Sequence, residues 1–345
     1  MSRWFESVKQ PLVTIICITY NHERFIARAL DGFLAQKTTF PVEIFIHDDA
    51  STDSTAEIIR SYQARFPHLI RARYQVENQH SNGLRLFEDL AFPEVQGKYA
   101  ALCEGDDFWL DPLKLQKQVD YLEAHPDCSL CFHDAQVVDM EGRPQRSFFP
   151  EPGFKSGHLK KGDADYDAGE IVRLGFIPTQ SMVFPRKFMF DWPSYHENRI
   201  CGDLPLMLTL ASRGYAHYLD ELMSAYRTGN PNSISGQTGG DFFRMARTVE
   251  GHIWILQEFD AFTGFKWHED VECDIRRRCF KLELWAAKRF VQVAPGYKKF
   301  LQDEMTASSI VELGTWSLRL MLGLFAPRIL GLLKKLRSLL RGTSG

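Results

Sequence analysis

Residues 99–109 read Tyr-Ala-Ala-Leu-Cys-Glu-Gly-Asp-Asp-Phe-Trp, and this stretch decides how the rest of the chain is interpreted. The apolar run Tyr99–Cys103 predicts a buried strand. Glu104, Asp106 and Asp107 follow at once, so we expect three carboxylates just beyond the carboxyl end of that strand. Ligands of open α/β sheets bind at this edge, and Mg²⁺ prefers oxygen ligands. The stretch therefore predicts a site for a divalent cation or a phosphate group.

The alternative interpretation is an acidic loop that only caps the next helix. Asp111 and Pro112 are residue types favoured at the N-cap and at the first helical position. Such a cap accounts for Asp111 but leaves the three preceding carboxylates without a role. The cation or phosphate site is therefore the favoured interpretation.

Composition narrows the functional classes. The chain has 345 residues, enough for two domains or for one α/β domain with additions. Its net charge of −3 gives no signal for a nucleic-acid partner. Of the seven cysteines, Cys128 and Cys131 form a lone CxxC pair, which favours reduced thiols over a zinc site. The first residues contain no apolar signal segment, so we expect a cytoplasmic protein.

Apolar patterning alternates between strands and helices in the first part of the chain. Mainly apolar runs predict strands at 12–18 and 42–47, and a third strand is predicted near 70–74. Helices are predicted at about 25–34, 54–66, 84–90 and 112–124, the second with a capping box at Ser54–Glu57. This order predicts an α/β fold with a doubly wound, mostly parallel sheet.

The pattern changes further along the chain. Residues 142–176 are rich in Gly, Pro, Lys and Asp and are predicted to form loops. Later elements are a strand at 177–184, a helix at 203–213, a pair of strands at 216–219 and 222–226, and helices at 242–259 and 271–293. The sequence therefore predicts a helical extension after the sheet.

Polar side chains also follow the first two predicted strands. Thr19, Tyr20 and Asn21 suit contacts with a nucleotide base or ribose, and a simple turn with an N-cap is the alternative. Asp49 follows the second strand and could accept hydrogen bonds from a base or a ribose hydroxyl. Its alternative is helix capping, which residues 51–53 also provide.

Two further positions carry charge near an element boundary. Asp203 opens an apolar helix, where the helix dipole favours a carboxylate, although a lone Asp there is commonly an N-cap. Arg227 precedes the Gly-, Asn- and Ser-rich residues 229–236 and could cover a diphosphate. A surface salt bridge is the alternative for this arginine.

Taken in order, these motifs resemble glycosyltransferase family 2. The segments that carry the resemblance are Thr-Tyr-Asn-His (19–22), Ile-His-Asp-Asp-Ala-Ser-Thr-Asp-Ser-Thr (46–55), the acidic segment with its following helix (103–118), and Gly-Asp-Leu-Pro-Leu (202–206). The similarity covers about residues 10–235. It implies a GT-A type fold, a nucleotide-sugar donor and inversion at the anomeric carbon.

The resemblance also implies residue roles. It assigns binding of the donor nucleotide to Thr19, Tyr20, Asn21 and Asp49. Asp106 would lie near the ribose or the metal, Asp107 would bind the metal, which is Mg²⁺ or Mn²⁺, and Asp203 would be the catalytic base. Two departures stand out: Glu104 occupies a position where many relatives have Asp, and no His follows Tyr226-Arg227 where some relatives have one.

The resemblance predicts transfer of a sugar, from a donor expected to be UDP-linked, to a hydroxyl of a glycan or lipid-linked glycan. A nucleotidyltransferase is one rival, but such enzymes carry a glycine- and lysine-rich phosphate loop after the first strand, and residues 19–25 contain no glycine. A non-catalytic sugar-binding or scaffold protein is the other. Loss of Asp203 or of the acidic pair would favour it, and both are present.

The predicted organisation has three parts. Residues 1–235 form the glycosyltransferase domain (about 10–110 for the nucleotide, 111–235 for the acceptor), 236–305 a helical extension and 306–345 a basic amphipathic tail. After Glu312 the tail has six cationic residues and no acid. Six of its apolar residues share one helical face: Phe325, Ile329, Leu332, Leu333, Leu336 and Leu340. We expect peripheral contact with the inner face of the plasma membrane. Packing of this helix on protein is the alternative.

Overall fold

The computed structural model of the chain describes residues 10–149, 159–197, 200–230 and 242–293. Its strands are β1 (Val13–Thr19), β2 (Val42–Asp48), β3 (Ile70–Tyr74), β4 (Tyr99–Leu102), β5 (Phe108–Trp109), β6 (Cys128–Val138), β7 (Pro144–Ser147), β8 (Ala164–Tyr166), β9 (Val183–Pro185) and β10 (Tyr215–Arg227). Its α-helices are α1 (Ile26–Leu34), α2 (Thr55–Arg65), α3 (Lys114–Ala124), α4 (Ala168–Leu174), α5 (Asp203–Ser212), α6 (Phe242–Phe262) and α7 (His268–Val293).

The strands form one mostly parallel sheet. Its order is β3-β2-β1-β4-β9-β6-β10-β5, with β7 added to β6 and β8 added to β10. Strand β1 runs parallel to both β2 and β4, and β6 runs parallel to β10, whereas β9 and β5 are antiparallel to their neighbours. The predicted α/β fold with a doubly wound, mostly parallel sheet is confirmed. The carboxyl ends of its parallel strands therefore meet at one edge.

Helices cover both faces of the sheet because the central strands are apolar on both sides. In β1, Ile15 and Cys17 pack in one core with α1, α2 and α3, and Ile16 and Ile18 pack in the other with α4, α5, α6 and α7. Since successive side chains of a strand face opposite sides, this double burial is what a doubly wound sheet requires. The apolar runs that predicted β1 and β2 reflect that requirement.

Strands β1 to β4 and helices α1 to α3 agree with the predictions, but several local details were wrong. The helix predicted near 84–90 is a six-residue π-helical segment, Leu86–Ala91, followed by a 3₁₀ turn, Phe92–Glu94. The segment lies close to the predicted position, but its π-helical hydrogen bonding was not predicted, and Phe92, the residue before Pro93, keeps helical backbone angles.

Both predicted caps in this part of the chain were also wrong. Ser54 makes no side-chain cap on α2; instead Asp53 Oδ1 accepts a hydrogen bond from the N–H of Thr55 at 3.0 Å. Helix α3 begins at Lys114 and not after Asp111. Asp111 Oδ1 accepts from the N–H of Leu113 at 2.8 Å, which forms a local turn before the helix.

The region 142–176, predicted as loops, contains β7, β8 and α4. These elements are too short for apolar periodicity to show them. Helix α4 carries a capping box between Asp167 and Glu170 and ends at Gly175, whose φ of 84° is left-handed. The capping box and the glycine are both visible in the sequence, but the polar residues around them led to the prediction of loops.

Predictions for the later strands were only partly right. Strand β6 was not predicted, and of the segment 177–184 only Val183 and Phe184 belong to a strand, β9. The two strands predicted at 216–226 are one, β10. Its pairing with β6 shifts between Leu219 and Leu222, and the exposed residues Asp220 and Glu221 form that irregularity.

Helices α6 and α7 confirm the two helices predicted at the end of the described chain. They share the apolar core of α4 and α5, and Arg277 donates a hydrogen bond to the carbonyl of Arg173 at 2.7 Å. Among the described helices, none combines the length and apolar character that crossing a membrane demands. The boundary at residue 235 and the tail at 306–345 lie outside the described residues, so the domain division stays a prediction.

Candidate active site

The carboxyl edge of the sheet brings the predicted polar segments together. The N–H of Gly105 donates to the carbonyl of Ile18 at 2.9 Å, and the N–H of Asp49 donates to the carbonyl of Thr19 at 2.9 Å. On the other side, the N–H of Arg227 donates to Asp107 Oδ1 at 2.7 Å. The acidic loop after β4, residues 104–107, is therefore fixed between β1 and β10.

The acidic loop presents a compact set of oxygen ligands. Glu104, Asp106 and Asp107 each offer a carboxylate oxygen, and these oxygens lie within 4.8 Å of one another. Asp107 is buried, and the other two are half-buried. Burial, with the charges of Asp106 and Asp203, raises the pKa of Glu104 to about 8, and burial also raises the pKa of Asp107 well above its usual range. A divalent cation would relieve this repulsion, so the residues fit a Mg²⁺ or Mn²⁺ ion.

Glycine is required at position 105 because the loop passes directly over β1. A Cβ atom there would lie 2.6 Å from Thr19 Oγ1 and 3.0 Å from His22 Nδ1. Thr19 is buried, and its hydroxyl has no hydrogen-bond partner among the described residues. The structure thus places Thr19 beneath the acidic loop. His22, which the sequence analysis missed, lies with Nε2 3.8 Å from Asp106 Oδ2.

Arg227 braces this loop from the opposite side. Its Nε donates to the carbonyl of Asp106 at 2.8 Å, and one terminal nitrogen donates to the carbonyls of Asp139 and Met140, both at 2.9 Å. The guanidinium carbon lies 4.3 Å from the ring centroid of Phe25. These contacts make Arg227 a buried brace for the acidic loop, which neither interpretation from the sequence foresaw.

Asp49 organises the loop that follows β3. Its side chain is fully buried; Oδ1 accepts from the N–H of Gln79 at 2.8 Å, and Oδ2 accepts from the N–H of His80 at 3.1 Å. Asn78 adds a hydrogen bond to the Asp49 carbonyl at 3.1 Å. A contact between Asp49 and a nucleobase stays a prediction.

In the turn after β1, hydrogen bonds hold Asn21, whereas the neighbouring Tyr20 is exposed. Asn21 has a left-handed φ of 54°, receives a bond from Thr52 N–H to its Oδ1 at 2.8 Å, and donates its own N–H to Ser51 Oγ at 2.9 Å. It ties the turn after β1 to the turn after β2. The neighbouring Tyr20 is 43% exposed and offers its ring to the solvent at this edge.

Asp203 is the first residue of α5, and the residues that follow it pack in the core that contains Ile16 and Ile18. The N-cap is Gly202, so the capping alternative for Asp203 is wrong. Asp203 Oδ1 accepts from the N–H of Leu204 at 2.8 Å. Its charge contributes to the raised pKa of Glu104, so the two carboxylates are near enough for their charges to interact. Burial raises the pKa of Asp203 itself, as suits a proton acceptor.

Two residues near Asp203 were not singled out with roles from the sequence. The charges of all four site carboxylates, together with burial, raise the pKa of the Tyr226 hydroxyl. Arg278 of α7 donates to Asp274 Oδ2 at 2.7 Å and to the carbonyl of Gly175 at 3.3 Å, and its charge opposes the rise in the pKa of Asp203. Because Arg278 belongs to a helix far along the chain, no local motif indicates its position.

Comparison with known proteins places the chain among sugar-transferring enzymes. A family model described as glycosyl transferase family 2 matches residues 14–178. An uncharacterized glycosyltransferase of Nostoc sp. is 32% identical over 306 residues, which cover 83% of this chain and 89% of the relative. A putative teichuronic acid biosynthesis glycosyltransferase of Bacillus subtilis, TuaG, is 26% identical and covers 68% and 84%.

An uncharacterized protein of Mycobacterium tuberculosis is 41% identical over 220 residues, which are 62% of this chain. The chain spans 58% of the length of that relative. The similarity therefore concerns part of a longer mycobacterial protein.

The acidic loop should bind Mn²⁺, and its affinity should depend on Gly105. In Gly105→Ala the added methyl group would displace the loop from Thr19, so we expect at least about a tenfold loss of affinity by calorimetry. The affinity of the wild type should also fall as the pH is lowered from 9 to 6. A carboxyl group with a pKa of about 8 keeps its proton at low pH, and the cation must displace that proton.

The matched control is Gly202→Ala, because a Cβ there meets no atom within 4 Å. This variant should bind Mn²⁺ like the wild type. Equal affinity in Gly105→Ala and the wild type would contradict the close packing of the loop as a condition for the cation site.

Proposed function

The chain belongs to glycosyl transferase family 2, and on that premise we propose that it is an inverting, metal-dependent glycosyltransferase. The donor is a nucleoside-diphosphate sugar, UDP-linked in our proposal, and the acceptor is a hydroxyl group of a glycan or lipid-linked glycan. The observation that carries the proposal is the cluster of carboxylate oxygens of Glu104, Asp106 and Asp107. It is supported by Asp203 at the start of α5, whose charge is near enough to act on Glu104.

Each side of the site has one task in this mechanism. Glu104, Asp106 and Asp107 would hold Mg²⁺ or Mn²⁺, and Asp106 would also contact the ribose. The ion, when bound, stabilises the negative charge of the departing nucleoside diphosphate. Arg227 supports this arrangement, since its guanidinium group holds the backbone of Asp106 in place.

Asp203 is the general base of the proposed reaction. A sugar hydroxyl is a poor nucleophile at neutral pH, and a positioned carboxylate that takes its proton contributes about 10²–10⁴ in rate. As the acceptor oxygen bonds to the anomeric carbon, the bond from that carbon to the diphosphate oxygen breaks, and the acceptor proton passes to Asp203. One displacement of this kind inverts the anomeric configuration.

Thr19, Tyr20, Asn21 and Asp49 are proposed to form the nucleotide side of the site. The exposure of Tyr20 supports a direct contact, since an exposed ring can stack on a base. Thr19 and Asn21 would act mainly by shaping the turn beside it, given their packing and hydrogen bonds. A role in polysaccharide biosynthesis of the cell envelope is supported by the name of the Bacillus subtilis relative.

Replacement of Asp203 by Asn should lower kcat by about 10²-fold or more while donor affinity changes little. Asn keeps the oxygen that accepts from Leu204 N–H, so stability should change by less than about 1 kcal/mol. The measurement is release of nucleoside diphosphate from a panel of nucleotide sugars, with thermal unfolding to check the fold. Asp120→Asn, an exposed site on α3, is the control. Turnover of Asp203→Asn near the wild-type rate would overturn the assignment.

The new glycosidic linkage should have the opposite anomeric configuration to the donor sugar. A single displacement by the acceptor oxygen leads to this result, since no second nucleophile takes part. Nuclear magnetic resonance of the purified product identifies the configuration from the coupling of the anomeric proton. Retention would require a covalent intermediate and a different role for Asp203.

The basic tail at 306–345, which lies outside the described residues, is proposed to contact an anionic membrane surface. Co-sedimentation with vesicles rich in phosphatidylglycerol should be strong for the full chain and weak for a truncation after Thr315. Added salt should weaken binding, since part of the attraction is electrostatic. Equal binding by both forms, or none by either, would contradict a membrane role for the tail.

A further inference from the structure

Beside the proposed catalytic carboxylates lies an aromatic cluster, Phe148, Phe176 and Tyr226, to which the mechanism above gives no role. The ring centroids of Phe148 and Tyr226 are 5.5 Å apart, those of Phe148 and Phe176 are 5.5 Å apart, and those of Phe176 and Tyr226 are 6.5 Å apart. All three side chains are half-buried. Each of the three residues therefore keeps part of its surface exposed, although Phe148 also packs against the apolar core.

Each ring is held by a different element of the fold. Phe148 follows β7, and its N–H donates to the carbonyl of Ala135 in β6 at 2.7 Å. Phe176 comes directly after Gly175, whose left-handed φ of 84° ends α4. Tyr226 lies within β10. The sheet and a helix end therefore fix the three rings relative to one another.

The aromatic cluster borders the catalytic groups at two points. Tyr226 precedes Arg227, whose N–H donates to Asp107 Oδ1 at 2.7 Å. Its hydroxyl makes no hydrogen bond to another described residue, yet lies near enough to the four carboxylates for their charges to raise its pKa. At the other point, the Gly175 carbonyl accepts from Arg278, whose charge acts on Asp203.

A pyranose ring fits such a surface chemically. One face of the ring carries C–H groups that pack on aromatic side chains, while hydroxyl groups project from its edge toward polar partners. Binding sites commonly combine apolar and aromatic walls with a few convergent polar groups, and a tyrosine supplies both properties. The carboxylates beside this cluster would receive the hydroxyl groups.

We propose that Phe148, Phe176 and Tyr226 form the subsite for the acceptor sugar and hold the reacting hydroxyl at Asp203. This inference rests on the proposed function. The acceptor is favoured over the donor because the cluster comes from β7, α4 and β10, on the Asp203 side of the acidic loop. The strands proposed to bind the nucleotide, β1 and β2, lie on the opposite side of β4 in the sheet.

Saturation-transfer nuclear magnetic resonance on the full chain, with Mg²⁺ and UDP present, tests the proposal. The probes are the methyl pyranosides of glucose, galactose, mannose and N-acetylglucosamine, with glycerol as a polyol without a ring face. The wild type should transfer saturation to the ring protons of at least one pyranoside and not to glycerol. Phe176→Leu should reduce the signal at least about fivefold, and the milder Tyr226→Phe should reduce it measurably.

Phe190→Leu is the matched control, because Phe190 is 46% exposed and belongs to none of the site's elements. It should behave like the wild type. No transfer to any pyranoside, or equal transfer in Phe176→Leu and the wild type, would overturn the proposal. Calorimetry of UDP binding separates the acceptor subsite from the proposed function. If the wild type does not bind UDP, the proposed function is contradicted. If only Phe176→Leu loses UDP binding, the cluster contacts the donor and the acceptor subsite is contradicted.

Discussion

Repulsion among carboxylates at one sheet edge is the constraint on which the site depends. Glu104, Asp106 and Asp107 lie within a few ångströms of one another, and Asp203 adds its charge from α5. Burial raises the pKa of Glu104 and of Asp107, and the charges of neighbouring carboxylates raise both further. The fold tolerates the arrangement because Asp107 accepts the N–H of Arg227 and the guanidinium group of Arg227 binds the loop backbone. The charge that remains unbalanced is what a divalent cation would neutralise.

The position of Asp203 depends on an equally specific set of contacts in the second core. Helix α5 is almost entirely buried after its first residue, and within it Thr209 joins a polar network. The Tyr195 hydroxyl lies 2.7 Å from Thr209 Oγ1, His196 Nε2 lies 2.8 Å from the same oxygen, and His196 Nδ1 lies 3.1 Å from Glu88 Oε1. Buried polar groups of this kind specify one arrangement when they are all paired. The network links α5, which begins at Asp203, to the π-helical segment before β4.

The sequence predicted the elements whose patterning reflects burial, and missed those fixed by backbone contacts. Strands β1, β2 and β4 appear as mainly apolar runs because both faces of the sheet are covered there. Strand β6 is also buried, but His133, Asp134 and Gln136 interrupt its apolar run and conceal it. The bracing role of Arg227 left no signal, since three of its partners are carbonyl groups, which every residue has. Lys114 is fully buried, and its Nζ donates a hydrogen bond to Gln118. Lysine is rarely buried in this way, so its residue type did not predict a core position.

The central claim is that the acidic loop holds a divalent cation together with the donor diphosphate, on the side of the site opposite Asp203. Crystals grown with Mn²⁺ and UDP test it most directly, because anomalous scattering locates the metal without assumptions about its ligands. The account predicts one strong peak with carboxylate oxygens of Asp106 and Asp107 and diphosphate oxygens within about 2.5 Å. Bound UDP with no manganese peak at this cluster, or with the metal held elsewhere, would contradict it.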